Sequence, residues 1–251
     1  MNHLNLNDIR IPIISTNQMK QVDRLAVEKY GLQLIQMMEN AGRSLAKLTK
    51  VLLGNSVLKK HIIVVSGKGN NGGGGLVSAR HLSNWGAKVT LMLPEEPLFG
   101  VPEIQRKIIQ NLPIERKIGK NAYQEISSSN AEMILDTMIG YGLKANPKGW
   151  IASMITKINE LKTTVLALDV PSGLDASTGE IHNPCIRASV TMTIALPKSG
   201  LLKKNAKEAV GTLYLCDIGI PNILYKEIGF QVEPIFVEDN IIKLENFQEI
   251  I

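Results

Sequence analysis

Residues 61–80 read HIIVVSGKGNNGGGGLVSAR: an apolar, β-branched run, a loop holding six glycines in the nine positions 67–75, and a stretch with helical character. Glycine has no Cβ and tolerates φ > 0, but so many side-chain-free residues are costly in chain entropy. A turn rarely needs more than one or two of them. The pattern therefore predicts a strand, a loop that something approaches closely, and a helix start at about residue 76. A ligand against main-chain N–H groups is the leading explanation.

The rest of the chain supplies more units of the same kind. Ser15 or Thr16 is placed to cap a helix whose apolar positions are Met19, Val22, Ala26 and Val27, and a second helical pattern spans residues 32–53. Strands are expected at 61–65, 88–93, 132–135, 163–168, 189–196 and 212–215, with helices at 76–85, 102–112, 121–128, 149–161 and 198–207. Several strands are apolar without alternation, which suits burial on both faces of a mainly parallel sheet. The alternation predicts an α/β doubly wound architecture in one domain covering residues 1–251. No internal repeat or linker divides it.

Composition excludes several classes. The 44% hydrophobic residues suffice for a sizeable core, and no run approaches the roughly 18 residues of a membrane span. Residues 1–10 lack an apolar core of signal-peptide length, so cytoplasm is the expected compartment. Two cysteines, Cys185 and Cys216, do not make a disulfide framework. The net charge of +5 is spread over surface pairs such as Arg116-Lys117 and Lys203-Lys204, and would favour a phosphate-bearing ligand over a cationic one. With only 4% aromatics and no aromatic-basic interleaving, a nucleic-acid partner is not expected.

The segment Gly67 to Gly72 satisfies G-x-G-x-x-G after a strand, yet no acidic residue ends the next strand to hold a ribose. That demotes an ordinary dehydrogenase. No Gly-Lys-Ser/Thr triplet closes the loop, which sets aside P-loop enzymes. Asn70 and Asn71 instead offer amides that hydrogen-bond in both senses or coordinate a cation through oxygen, although asparagine also simply tolerates left-handed backbone.

Two further segments, LDTMIGYGLKAN (135–146) and LDVPSGLDASTG (168–179), each place an aspartate at a strand end before a glycine-containing turn. Asp136 and Asp169 should therefore share the carboxyl edge of the sheet with the glycine loop, where open α/β sheets bind ligands. Ser172, on a Pro-Ser-Gly turn, either faces the same crevice or stabilises the turn. Asp217 reads as structural. Lys198, which follows a strand through Pro197, points either into the crevice or into solvent. His3, His61, His81 and His182 lack zinc-ligand spacing, and Cys185 near His182 reads as a packed or surface thiol rather than a nucleophile.

GKGNNGGGGLVSARHL, ILDTMIGYGL, ALDVPSGLDASTG and TMTIALPKSGL, in this order, resemble the YjeF N-terminal domain family, the NAD(P)H-hydrate epimerases. STNQMKQVDRLAVEKYG and MMENAG look like that family's first two helices, so the resemblance covers nearly the whole chain. It implies a Rossmann-like three-layer α/β/α fold, a homodimer, and an isomerase that interconverts the R and S forms of NADHX and NADPHX. These are nicotinamide cofactors damaged by addition of water at C6. It further implies one potassium ion per subunit held by Asn71, Asp136 and Ser172. The dinucleotide substrate would be held by Asn70, Asn71, Gly72, Gly73 and Gly74, by Gly140, Tyr141, Gly142, Leu143, Lys144, Ala145 and Asn146, and by Asp169. As the carboxylate expected at the hydrated carbon, Asp169 is the residue for general acid–base chemistry.

One position departs from the family pattern, which has aspartate where this chain has Gly74. The chain also ends at Ile251 without a fused dehydratase, so any partner dehydratase is expected to be a separate protein. The alternative reading is a non-catalytic relative that uses the same fold for dimerisation or for nucleotide or RNA binding.

Overall fold

Alternation of central apolar strands with helices produces a three-layer α/β/α fold, seen in a computed structural model that describes residues 3–5, 11–126 and 130–245. In chain order the elements are β1 (His3–Asn5), α1 (Thr16–Glu28), α2 (Leu34–Leu52), β2 (His61–Ser66), α3 (Asn70–Asn84), β3 (Lys88–Leu93), α4 (Gly100–Ile109), β4 (Glu115–Ile118) and α5 (Lys120–Ile126). There follow β5 (Met133–Thr137), α6 (Gly149–Glu160), β6 (Thr164–Leu168), β7 (Val190–Ile194), α7 (Lys207–Val210), β8 (Thr212–Cys216), α8 (Asn222–Lys226) and β9 (Ile241–Glu245). The strands form one sheet in the order β1-β9-β8-β7-β6-β5-β2-β3-β4. Every pairing is parallel except β8 with β9.

The period-2 geometry of the strands splits the core into two. Ile62, Val64, Leu135, Leu166 and Leu168 pack against α1 to α4 on one face, whereas Ile63, Val65, Ile134 and Ala167 pack against α5 and α6 on the other. Both faces are covered, so the strands read as continuous apolar runs. At the start of α1, Ser15 and Gln18 form a reciprocal capping box. The Ile14 N–H donates to the Pro197 carbonyl at 3.0 Å, and Ile14 bridges Lys198. This ties the first helix to the exit of β7, over the carboxyl edge of the sheet.

The glycine run differs from the sequence expectation. The helix begins at Asn70 rather than near Leu76, so Gly72 to Gly75 lie inside its first turns. What approaches them is mostly protein. A Cβ at Gly72 would lie 2.0 Å from the Gly67 carbonyl oxygen, one at Gly73 2.5 Å from Met38 Sδ, and one at Gly75 2.1 Å from Thr137 Oγ1. Four poor helix formers are tolerated because they let α3 sink against α2 and the ends of β2 and β5, and that packing offsets their low propensity.

Residues 198–207 are likewise not one helix. They form 3₁₀ turns at Ser199–Leu202 and Lys204–Ala206 before α7. Gly200 is pulled against the 175–179 turn, its N–H donating to the Ala176 carbonyl at 2.8 Å. The expected helix at 121–128 ends at Ile126, with residues 127 and 128 outside the described ones, as are most of residues 1–10.

Candidate active site

Asp169 follows directly on β6 and has φ = +66°, in the left-handed region that is uncommon for side-chain-bearing residues, although aspartate and asparagine enter it more readily than most. Its N–H donates to the Met192 carbonyl of β7 at 2.7 Å, and this turns the side chain back over the sheet edge. The carboxylate is 2% exposed. Oδ2 accepts from the Tyr141 N–H at 2.9 Å, and Oδ1 lies 2.7 Å from Nζ of Lys198.

Lys198 is fully buried and donates to the Ile194 carbonyl at 2.7 Å and to Thr193 Oγ1 at 3.3 Å. Asp169 Oδ1 thus receives the charge of the ammonium but accepts no aligned hydrogen bond. A buried oxygen with unused acceptor capacity on a cavity wall calls for a functional explanation.

The second aspartate lies deeper. Asp136 is fully buried in β5. Its Oδ1 accepts from Ser172 Oγ at 2.6 Å and from the Met138 N–H at 3.2 Å, and its Oδ2 accepts from the Ser172 N–H at 2.8 Å. Burial pushes this carboxyl up to about 6, with the Ser172 and Met138 hydrogen bonds pulling the other way. Its environment shows no compensating basic group among the described residues. Asn71 donates through Nδ2 to the Leu168 carbonyl at 3.2 Å, leaving its amide oxygen beside Gly140. Gly140 has to be glycine here, because a Cβ would lie 2.7 Å from Asp169 Oδ2 and 3.3 Å from Asn71 Oδ1.

Asp169, Asn71, Gly140 and Tyr141 border a cavity of about 430 Å³. Of the residues expected from the sequence, Asn70, Asn71, Gly74, Gly140, Tyr141, Gly142 and Asp169 line it. Gly72 and Gly73 do not, being taken up in the packing of α3. Leu143, Lys144 and Ala145 lie beyond the lining, and Asn146 is engaged elsewhere, accepting from the Asn183 N–H at 3.2 Å beside the His182 ring. Asp136 and Ser172 sit behind the wall, bonded to each other.

Asp217 caps its own turn through the Gly219 N–H, as a structural residue would. Burial pushes the thiols of Cys185 and Cys216 up to about 12, which leaves neither as a thiolate. Sequence reasoning missed Lys20 and Asp23 of α1 and the apolar wall formed by Leu34, Met37, Met38, Ala41, Ile194 and Ile218. Lys20 and Asp23 stand at i, i+3 spacing, but nothing in the chain order shows that this face meets Tyr141.

Residues 34–200 match the family described as YjeF-related protein N-terminus. The chain belongs to this family. It is 38% identical over 228 residues to the NAD(P)H-hydrate epimerase of Dehalogenimonas lykanthroporepellens, covering 90% of this chain and 87% of that one. It is 31% identical over 223 residues to the NAD(P)H-hydrate epimerase of Rhodopirellula baltica, covering 88% and 90% respectively. Against the bifunctional NAD(P)H-hydrate repair enzyme Nnr of Moorella thermoacetica it is 36% identical over 222 residues, spanning 84% of this chain but 41% of that enzyme. The crystal structure of yeast ynu0 superposes with a TM-score of 0.80 at 24% identity, covering 93% of this chain and all of that one, and has the same fold. Within the family, the convergence of the 67–75, 136–142 and 169–172 segments on one sheet edge is the feature on which function is to be read.

Proposed function

We propose that this protein is an NAD(P)H-hydrate epimerase, interconverting the R and S forms of NADHX and NADPHX in nicotinamide cofactor repair. The observation that carries the reading is Asp169, a buried carboxylate on the cavity wall, held between the Tyr141 N–H and the Lys198 ammonium. The name NAD(P)H-hydrate epimerase, carried by relatives that match most of the chain, supports it. The helix start at Asn70 and Asn71 presents N–H groups suited to a pyrophosphate. The apolar wall from α2 is suited to a ring and excludes water from it. Asp169 takes the proton of the C6 hydroxyl, and Lys198 and the Tyr141 N–H fix the carboxylate while it does so. Incubating the pure protein with the R hydrate and following the S hydrate tests this; no conversion at saturating hydrate refutes it.

We also propose one potassium ion per subunit. A buried carboxylate without a basic partner, a serine hydroxyl and an amide oxygen are an all-oxygen donor set fitting a hard cation, so Asn71, Asp136 and Ser172 would hold it. When bound, the ion supplies positive charge beside the dinucleotide phosphates. Without a cation, folded Asp136 titrates at about 6 against 3.8 when unfolded. Its protonated form is the one the fold favours, so the stability it contributes is fully present below 3.8 and is lost as pH rises through about 6. That loss is on the order of 3 kcal/mol. A cation beside the carboxylate removes it. Potassium should therefore raise the melting temperature at about pH 7.5 and have little effect at about pH 4.5. A melting temperature indifferent to potassium at both values sinks the metal assignment.

Gly74 has an ordinary helical backbone, and an added Cβ would meet only the flexible end of Leu168, Cδ2 at 2.8 Å. Gly74→Asp is therefore accommodated with a small shift of Leu168, and it places a carboxylate on the cavity wall. A charge-assisted hydrogen bond in a dry site is worth about 1.5–3 kcal/mol. We expect tenfold or greater tightening for hydrated cofactor by calorimetry, at the scale of about 1.4 kcal/mol per decade. Unchanged or weaker binding would show that no ligand group lies within reach of this position.

A homodimer in the cytoplasm, working together with a dehydratase activity, completes the proposal. Exposed Phe99, Ile104 and Ile108 around α4 support self-association, and sedimentation of the pure protein measures it. Bifunctional repair enzymes among the relatives support a second repair activity acting on the same cofactor. No helix among the described residues is long and apolar enough to cross a membrane.

A further inference from the structure

Tyr141 joins two carboxylates on one cavity wall. Its backbone N–H donates to Oδ2 of Asp169, and its phenol hydroxyl donates to Oδ2 of Asp23 on α1. Asp23 and Asp169 both line the cavity, together with Lys20 one turn before Asp23. The helix carrying Asp23 is not free to drift. Ile14 is bridged to Lys198, Thr16 N–H donates to Ser177 Oγ at 3.0 Å, and Ser199 N–H donates to the Ile14 carbonyl at 3.0 Å. The segment that anchors α1 is thus the one that supplies the ammonium held against Asp169.

We propose that Asp23, held by the Tyr141 hydroxyl, is the second proton-transfer group of the site, giving a proton to the substrate where Asp169 takes one. This rests on the epimerase reading. Inversion at C6 requires a bond to that carbon to break and re-form, and one carboxylate cannot at the same instant accept and donate. In the ring-opening form, Asp169 takes the proton of the C6 hydroxyl and a C6=O double bond forms. The C6–N1 bond breaks with its electron pair going to N1, and N1 takes the proton of Asp23. Closure on the other face of the aldehyde reverses each transfer: N1 attacks C6, the N1 proton returns to Asp23, and the C6 oxygen recovers a proton from Asp169. If water leaves instead, the same pair serves: Asp23 protonates the departing hydroxyl as the N1 lone pair forms N1=C6, Asp169 takes a proton from the water that adds back on the other face, and exchange with solvent water then removes that proton from Asp169 and returns one to Asp23, restoring both groups.

The surroundings of Asp23 keep it suited to the donor role. Burial raises its pKa above that of a free aspartate, the Tyr141 hydrogen bond and the Lys198 charge lower it, and Asp169 raises it. Among the described residues, Lys20 on the same cavity wall and Tyr225, whose phenol feels the Asp23 charge, are further ionisable groups beside it. The donor form therefore persists to higher pH than in a free aspartate, and turnover should fall as pH rises through the pKa of Asp23.

The test compares wild type, Asp23→Asn and Tyr141→Phe, measuring turnover of R hydrate across pH and dinucleotide binding by calorimetry. Asp23→Asn should lose about 10²-fold or more in kcat. It should bind dinucleotide within about threefold of wild type, and lack the basic limb of the pH profile. Tyr141→Phe removes a donor that favours the ionised carboxylate, so it should keep measurable turnover with the basic limb moved to higher pH. Because it changes no charge, it also decides the matter if Asp23→Asn fails to fold. Wild-type turnover in Asp23→Asn, or a basic limb unmoved in Tyr141→Phe, overturns the role of Asp23 and leaves the epimerase reading standing. A wild type that converts no hydrate overturns both.

Discussion

Asp169→Asn should lower epimerisation by about 10²–10⁴-fold, the usual contribution of one positioned acid or base. Asparagine is the informative replacement for a backbone reason as well as a chemical one. The residue stands at φ = +66°, and asparagine tolerates the left-handed region where most side chains do not. The amide keeps the size of the carboxylate and retains an oxygen able to accept the Tyr141 N–H. What it loses is the capacity to take a proton and the charge facing Lys198. Activity is to be measured well below the melting temperature of the variant and with dinucleotide affinity determined in parallel. A folded Asp169→Asn protein that turns over hydrate at near wild-type rate would remove Asp169 from the chemistry.

The parts of the site that could be read from the sequence were those built from strand ends. Asp136 and Asp169 each terminate an apolar run and precede a turn, and a parallel sheet brings such positions to one edge without further information. The glycine run was legible as a place of close approach but not for what approaches it. Gly73 and Gly75 accommodate Met38 and Thr137, and only Gly74 of the four inner glycines reaches the cavity.

Contacts made by distant segments were not legible. Asp23 and Tyr141 are 118 residues apart, and their hydrogen bond depends on how α1 is tied to the exit of β7. Lys198 could be read equally as crevice or surface, because a lysine after a strand carries no sign of its depth. Charged composition hid β4, whose Glu115, Arg116 and Lys117 form ion pairs at the sheet edge, and charges are a known means of blunting exposed edges. The strands β1 and β9 passed unnoticed because short segments near the ends of a chain carry little periodicity.

Lys198→Met should destabilise the fold more than any other single change at the site, because Lys198 and Asp169 are buried together and each is the other's charge partner. Removing one member of a buried pair costs about 3–5 kcal/mol, most of it from the charge left behind. For a chain of this size that is a fall of roughly 6–20 °C in melting temperature. Methionine follows the path of the lysine stem and fills much of its volume, so a cavity contributes little to the loss. The informative variant is the double one. Asp169→Asn with Lys198→Met leaves no unpaired charge, and the two losses should sum to more than the double variant shows, with a coupling of about 0.5–3 kcal/mol. Activity should behave differently: the double variant recovers stability but turns over no faster than Asp169→Asn, because the proton acceptor is still missing. If the two losses in stability simply add, the ion pair contributes nothing specific, and the position of Asp169 is held instead by the Tyr141 N–H and the backbone bond to Met192. If Lys198→Met melts with wild type and loses only turnover, the ammonium acts on the substrate directly rather than through Asp169.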